Sequence, residues 1–354
     1  MLKIGILTWF FANNYGARAH TYALQQVISQ MGYDCEFVNF RPRGSIRINI
    51  LGNINCVSPR KHPWRVLKCL TRCIRFSRAQ RLYRVGKKVH SAQELERAGY
   101  DLLIIGSDAV LNIHHPLFHE IYYGVGLEKT CFCTYAPSCE YMASEEKLPG
   151  KLKEAIQKAS ELSARDRFTQ QILETATNRK VDVVLDPTML YDFKTVSRPL
   201  KEKRYFLLYT FSAWPQYADA VRQYAKARGL QVVSIGRYCD WADRSYEVAS
   251  VYQWYGAFEN AEGVFTDSFH GTLFAIKNKK PLVVVSREDK KFKIRDALEQ
   301  MGCTLPFYTG GKIADYLSEN VNYARIEGKV EILAKDSLNF LSRAIKDAER
   351  RTVK

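Results

Sequence analysis

The stretch "KIGILTWFFANNYGARAHTYALQQVISQMGYDCEFVNF", residues 3–40, decides the fold. It opens with an apolar run, "KIGILTWF", and closes with another, "CEFVNF". Between them Ala19, Tyr22, Ala23 and Val27 recur at intervals of three and four, and Gly32 suits a helix C-terminus. Strand, helix, strand is a βαβ unit, and strands that are apolar throughout belong in a parallel sheet covered on both faces.

The same alternation runs to the end of the chain. Strand-like runs recur at 101–106, 131–136, 181–186, 205–211, 231–236, 263–267 and 281–286, with patterned helices at 215–228, 269–278 and 291–302. Val330, Ala334, Leu338, Leu341 and Ile345 mark a long closing helix. The expectation is α/β, with two Rossmann-like doubly wound domains. The polar stretch 193–204 suggests the division: residues 1–195, then 196–320, then the closing helix 321–354.

Composition narrows the class. Apolar content of 46% over 354 residues is that of a globular protein, and no apolar run reaches eighteen residues. The N-terminal run lacks a small-residue cleavage site, so the expected location is the cytoplasm. Nine scattered cysteines without C-x-x-C spacing read as free thiols rather than metal ligands. His115 and His119 stand at i, i+4 but lack the acidic partner of a zinc helix.

The net charge is +16, and residues 60–88 hold eleven Lys and Arg and no acid. Arg65, Lys68, Arg72 and Arg75 form one helical face; Val66, Leu70, Cys73 and Ile74 form another. One explanation is a solvated basic face with the apolar side packed on the core. Another is peripheral docking to an anionic membrane surface or a lipid-linked substrate. Nucleic acid is the least favoured partner.

In open α/β sheets, ligands bind beyond the carboxyl ends of strands. Polar turns follow the strands there: "ANNYGA" (12–17), "GSDAVLN" (106–112), "PSCE" (137–140), "DPT" (186–188) and "DSFHG" (267–271). Turns and caps account for much of this. Either Asp267 or Ser268 can cap the helix at 269–278, but His270 exceeds what a cap requires. Glycine at position 16 would let a ligand approach the first turn, whose free N–H groups bind anions. No G-x-G-x-x-G or P-loop pattern is present at these turns.

Five segments in order, "IGILTWFFANNYGARAHTYALQ", "DLLIIGSDAVLN", "LSARDRFTQQIL", "VLDPTMLYD" and "TDSFHGTLFAIKNKKPLVVV", resemble the polysaccharide pyruvyl transferase family. The resemblance implies two Rossmann-like domains like those of GT-B glycosyltransferases. It implies phosphoenolpyruvate as donor, a sugar or lipid-linked glycan as acceptor, and a pyruvate ketal as product, without metal or redox cofactor. It assigns His270 as acid or phosphate ligand and Arg165 as donor clamp. Asn14, Gly16, Ser107, Asp108 and Ser268 would line the cleft, with Arg237 and Arg287 as further donor contacts. Three places depart from the family's pattern. Ala109 and Leu111 replace Gln and Trp of "GSDQVWN". Arg18, Ala19 and His20 replace an apolar pair and Gln. The usual "YAASFG" reads "YAPSCE" (135–140). These changes fall on the side expected to hold the acceptor. Two other functions stay open: a GT-B glycosyltransferase using a nucleotide sugar, and a non-catalytic basic protein that binds membrane or nucleic acid.

Overall fold

The computed structural model describes residues 2–59, 63–140, 148–286, 291–317 and 321–352. Its strands are β1 (Ile4–Leu7), β2 (Cys35–Phe40), β3 (Val85–Val89), β4 (Leu102–Ile105), β5 (Cys131–Thr134), β6 (Ser163–Ala164), β7 (Asp182–Val183), β8 (Tyr205–Tyr209), β9 (Gln231–Ile235), β10 (Arg244–Tyr246), β11 (Gly263–Thr266) and β12 (Leu282–Val284). The helices are α1 (Tyr15–Gln30), α2 (Ser45–Cys56), α3 (Arg65–Ala79), α4 (Ala92–Arg97), α5 (Gly150–Ile156), α6 (Arg167–Thr177), α7 (Pro187–Leu190), α8 (Ala218–Ala227), α9 (Val251–Asn260), α10 (Phe269–Lys277), α11 (Lys291–Gln300) and α12 (Tyr323–Thr352).

The first sheet runs β3-β2-β1-β4-β5 and the second β10-β9-β8-β11-β12, both parallel throughout. Each winds outward from a central strand, first one way and then the other. The switch points therefore lie between β1 and β4, and between β8 and β11. Central strands are buried on both faces, as their unbroken apolar runs predict.

Two details differ from the sequence reading. The run 181–186 contributes only a two-residue strand, paired with Ser163–Ala164 outside the main sheets. Leu338 on α12 is exposed, while Ser337, Phe340, Leu341, Ala344 and Ile345 are buried. The Ser337 hydroxyl accepts from Leu185 N–H at 2.9 Å and Phe340 packs on Tyr135, so α12 returns to the first domain. All nine cysteines are free thiols, with Cys35, Cys133, Cys139, Cys239 and Cys303 buried and Cys56, Cys69, Cys73 and Cys131 half-buried.

The largest difference concerns the basic segment. Residues 60–62 lie outside the described residues, α3 covers only 65–79, and Val85–Val89 is a sheet strand. The faces of α3 are also reversed: Arg72 is buried while Val66, Leu70 and Ile74 are exposed. The Arg72 guanidinium donates to Gly236 O at 2.9 Å, Glu247 O at 2.6 Å, the Tyr15 hydroxyl at 3.2 Å and Asn53 Oδ1 at 3.0 Å. Arg75 donates to Val248 O, and Lys68 pairs with Glu247. The Tyr15 hydroxyl donates to Ala249 O at 2.7 Å, and its ring stacks on Trp254. The basic face thus ties the two domains together. A planar fork suits several carbonyl acceptors at once, which a lysine could not serve.

Arg72→Ala would leave buried acceptors unmatched on both domains. We expect it to lower unfolding free energy by roughly 3 kcal/mol in urea titrations, with Arg72→Lys recovering less than half.

Candidate active site

The two switch points face each other across a cleft of about 500 Å³. Its walls come from the turns after β1, β4, β5, β8 and β11, and from α2 and α3.

His270 enters from the first turn of α10. Ser268 is the N-cap, accepting from Gly271 N–H at 3.3 Å. Asp267 is not the cap: it accepts from Phe211 N–H, Ser212 N–H and the Trp214 indole, fixing the turn after β8. His270 crosses to the first domain and lies against Gly16. A Cβ on residue 16 would sit 2.3 Å from His270 Nδ1. The space beside Gly16 is therefore filled by the histidine, not left for a ligand as the sequence suggested.

Around His270 stand groups from the first domain. Asp186 Oδ2 is 3.6 Å from His270 Nε2, an ion-pair distance too long for a hydrogen bond. That nitrogen is buried and has no hydrogen-bond partner among the described residues, and its residue lines the cleft. Arg165 NH1 bonds Asp186 Oδ2 at 3.1 Å and lies 3.6 Å from Asp108 Oδ1, with its guanidinium 4.3 Å over the Phe269 ring. The other Asp186 oxygen accepts from the Thr188 N–H and hydroxyl at the start of α7.

His20 completes the group. Its ring stacks on His270 with centroids 5.8 Å apart. Nε2 is 3.2 Å from Asp108 Oδ2, and Nδ1 is 2.8 Å from Ser107 Oγ. Neutral His20 satisfies both contacts if Nε2–H donates to Asp108 and the Ser107 hydroxyl donates to Nδ1. One departure from the family pattern therefore stands inside the buried cluster.

Burial opposes ionisation of both carboxyls. For Asp108 the His20 hydrogen bond, with Arg165 and His270 nearby, outweighs it and holds the carboxyl well below the usual range. His270, Arg165 and His20 do the same for Asp186. Burial pushes the His270 imidazole down, and the attraction of Asp186 and Asp108 only partly offsets this. Burial also acts on Arg165, but Asp108, Asp186 and Asp166 raise its pKa overall. One arginine thus faces two carboxylates.

Other expected residues are distributed as follows. Asn14 caps α1, accepting from Ala17 N–H at 3.1 Å, and lines the cleft with Asp108, Arg165, Arg237 and Ser268. Arg237 NH1 donates to Phe211 O at 2.6 Å. Ser107 is fully buried behind His20 and is not among the cleft-lining residues. Arg287 lies outside the described residues. His115 stacks on Trp9, and His119 accepts from Ile121 N–H; no metal-binding cluster occurs among the described residues.

Sequence reasoning missed His20 and Asp186 as members of the cluster, and Arg72 as a cleft cation. It also missed Glu140. That residue occupies the glycine position of the family's "YAASFG" at a φ of +53°, a left-handed conformation that favours glycine. Its carboxylate bonds Lys293 at 2.6 Å and Asn112 at 3.0 Å in the cleft wall.

The model of the family described as polysaccharide pyruvyl transferase matches residues 14–289. The chain belongs to this family. No curated protein sequence matches it. Among solved structures, a putative UDP-N-acetylglucosamine 2-epimerase from Listeria monocytogenes aligns with a TM-score of 0.57 at 10% identity, covering 99% of this chain and 97% of that one. The Neisseria meningitidis UDP-GlcNAc 2-epimerase bound to UDP-GlcNAc gives 0.53 at 8% identity, covering 98% and 100%. An α-glucosyltransferase in complex with UDP gives 0.50 at 10%, covering 100% of both chains. At these identities the likeness concerns the fold alone, which is GT-B: two Rossmann-like domains around a cleft. In this chain the GT-B fold thus places the "SFHG" histidine of one domain against the first helix of the other.

Gly16→Ala tests that contact. In a helix the change favours the fold by up to about 1 kcal/mol, and Gly328→Ala on α12, where nothing lies within 4 Å of the new Cβ, should show that gain. At Gly16 we expect a net loss of thermal stability and a shifted His270 ring resonance by NMR. An unshifted resonance would show that the imidazole does not depend on the glycine.

Proposed function

We propose that this family member transfers pyruvate from phosphoenolpyruvate to two hydroxyls of one sugar in a glycan precursor, forming a ketal and releasing phosphate. The observation that carries the reading is His270 Nε2: buried, without a resident hydrogen-bond partner among the described residues, on a cleft-lining side chain beside ionised Asp186.

The reaction needs a proton delivered to the donor's methylene carbon. It also needs stabilisation of the positive charge that then develops on the adjacent carbon. Protonated His270 supplies the first, and Asp108, open to the cleft, supplies the second. One acceptor hydroxyl adds to that carbon, the bond to the phosphate oxygen breaks, and the second hydroxyl adds. Of the two hydroxyl protons released, one replaces that given by His270 and the other leaves with phosphate. Asp186 and Arg165 act as positioning residues: each is buried and bonded to the other. Arg72 and Arg237 are the cations available to the donor's anionic groups. Both line the cleft, and no carboxylate pairs with Arg72 among the described residues.

Charge balance makes donor binding depend on pH. Free His270 is pushed below its ordinary value by burial. A bound anion would raise it, so binding takes up a proton between the two values. Raising pH through this window should weaken donor affinity by up to about tenfold per unit. Calorimetry in buffers of different ionisation enthalpy should register the uptake in the native chain and not in His270→Gln. If phosphoenolpyruvate binds with no proton uptake, His270 is not the acid.

Turnover is tested by phosphate release from phosphoenolpyruvate with lipid-linked or soluble glycan acceptors. His270→Gln should lower it by roughly 10²–10⁴-fold. Thermal stabilisation by UDP- or GDP-sugars, with none from phosphoenolpyruvate, would instead favour a glycosyltransferase.

A further inference from the structure

The reversed helix leaves an apolar surface outside the cleft. Val66, Leu67, Leu70 and Ile74 lie on the outer side of α3, with Val66 71% exposed and Leu67, Leu70 and Ile74 50–54%. On α2, Ile46 is 69% exposed, and Ile50 and Leu51 are 45% and 47%. The two helices pack side by side: Asn53 bonds Cys73 and Arg72, and Arg65 donates to Ile54 O. Seven large aliphatic side chains on one helical pair exceed the scattered exposure normal for a surface.

The charges carried by the segment that holds these helices are of one sign. Residues 37–93 contain fourteen Lys and Arg and no Asp or Glu. Arg43 and Arg47 at the start of α2, and Arg78 and Arg81 at the end of α3, are exposed. Arg47 stands three and four residues from Ile50 and Leu51, and Arg78 four from Ile74, so these cations share the apolar faces.

We infer that the outer face of the α2–α3 pair docks on the surface of a bilayer carrying anionic lipids. Aliphatic side chains enter the headgroup boundary while the arginines contact the headgroups. A second copy of this chain fits less well. An isologous contact would set the same arginines, Arg43, Arg47, Arg78 and Arg81, against themselves, with like charges opposed. The membrane face is also continuous with the site. Ile48, Asn49, Gly52, Asn55 and Cys56 of α2 line the cleft, while Ile46, Ile50 and Leu51 of the same helix face outward. A docked enzyme would hold its cleft beside the bilayer, where a lipid-linked acceptor presents its sugar. That last step rests on the proposed transfer; the docking itself does not.

The test is sedimentation of the full chain with phosphatidylcholine vesicles, with and without phosphatidylglycerol. We expect binding to the anionic vesicles and little to the neutral ones. High salt should weaken but not abolish it. Leu70→Glu with Ile74→Glu should lower the vesicle partition coefficient roughly tenfold or more. Leu70→Ser with Ile74→Ser should lower it by less, separating lost apolar contact from added repulsion. Ile332→Glu, at another exposed aliphatic site on α12, should change nothing. All variants should melt as the native chain does, because these side chains are already exposed. The inference fails if the native chain ignores anionic vesicles, or if both double variants bind as it does. It also fails if the native chain dimerises without lipid and the variants do not, which would make a second copy the occupant. The assay contains neither phosphoenolpyruvate nor sugar, so its outcome is separate from that of the transfer reaction.

Discussion

The contact between the His270 imidazole and the backbone of Gly16 makes one site out of two domains. Without it, His270 would be a residue on the first turn of a helix, where the dipole disfavours its protonation. With it, the ring is carried to Asp186, Asp108 and His20 of the other domain. The geometry requires the domains to meet at a fixed angle. Tyr15 and Arg72 supply that constraint, bonding to the segment 236–249 of the second domain from α1 and α3. One continuous apolar core extends from the first sheet through α9 and α10 to α12.

The legible part of the fold was the part governed by local patterns. Central strands of a parallel sheet are buried on both faces, so "ILTWF", "LLII" and "FLLY" announce themselves. Two of the four edge strands of the main sheets do not. Val85–Val89 reads "VGKKV" inside a basic run, and Arg244–Tyr246 reads "RSY". Each has one paired neighbour and open surface, and so carries little apolar signal.

Candidate site residues divide in the same way. His270, Asp108 and Asn14 were legible because they follow strand ends, where an open α/β sheet exposes its turns, whereas Arg165 was singled out only by the family resemblance. Asp186 was visible only as part of a turn, since its oxygens do cap Thr188; its second role depends on Arg165, twenty-one residues away. His20 lies in the second turn of α1, with no local feature separating it from a core position. The orientation of α3 was hidden for a similar reason. Periodicity shows that a helix has two faces, and ordinary expectation turns the charged one outward. Here two of the acceptors that hold Arg72 are carbonyls more than 160 residues further along the chain.

The departures from the family pattern become connected once placed. His20 bonds Asp108, the residue before Ala109. Ser138 N–H donates to Asp108 O at 2.8 Å, and Glu140 follows two residues later. Changes that look independent along the sequence thus meet on one short path around Asp108. Glutamate at a left-handed position has a conformational cost that glycine lacks, and its bonds to Lys293 and Asn112 offset it. The same bonds place an anchored ion pair in the cleft wall, where a glycine would leave space. The departures thus change the shape and charge of the cleft wall while the "SFHG" turn stays as the family has it.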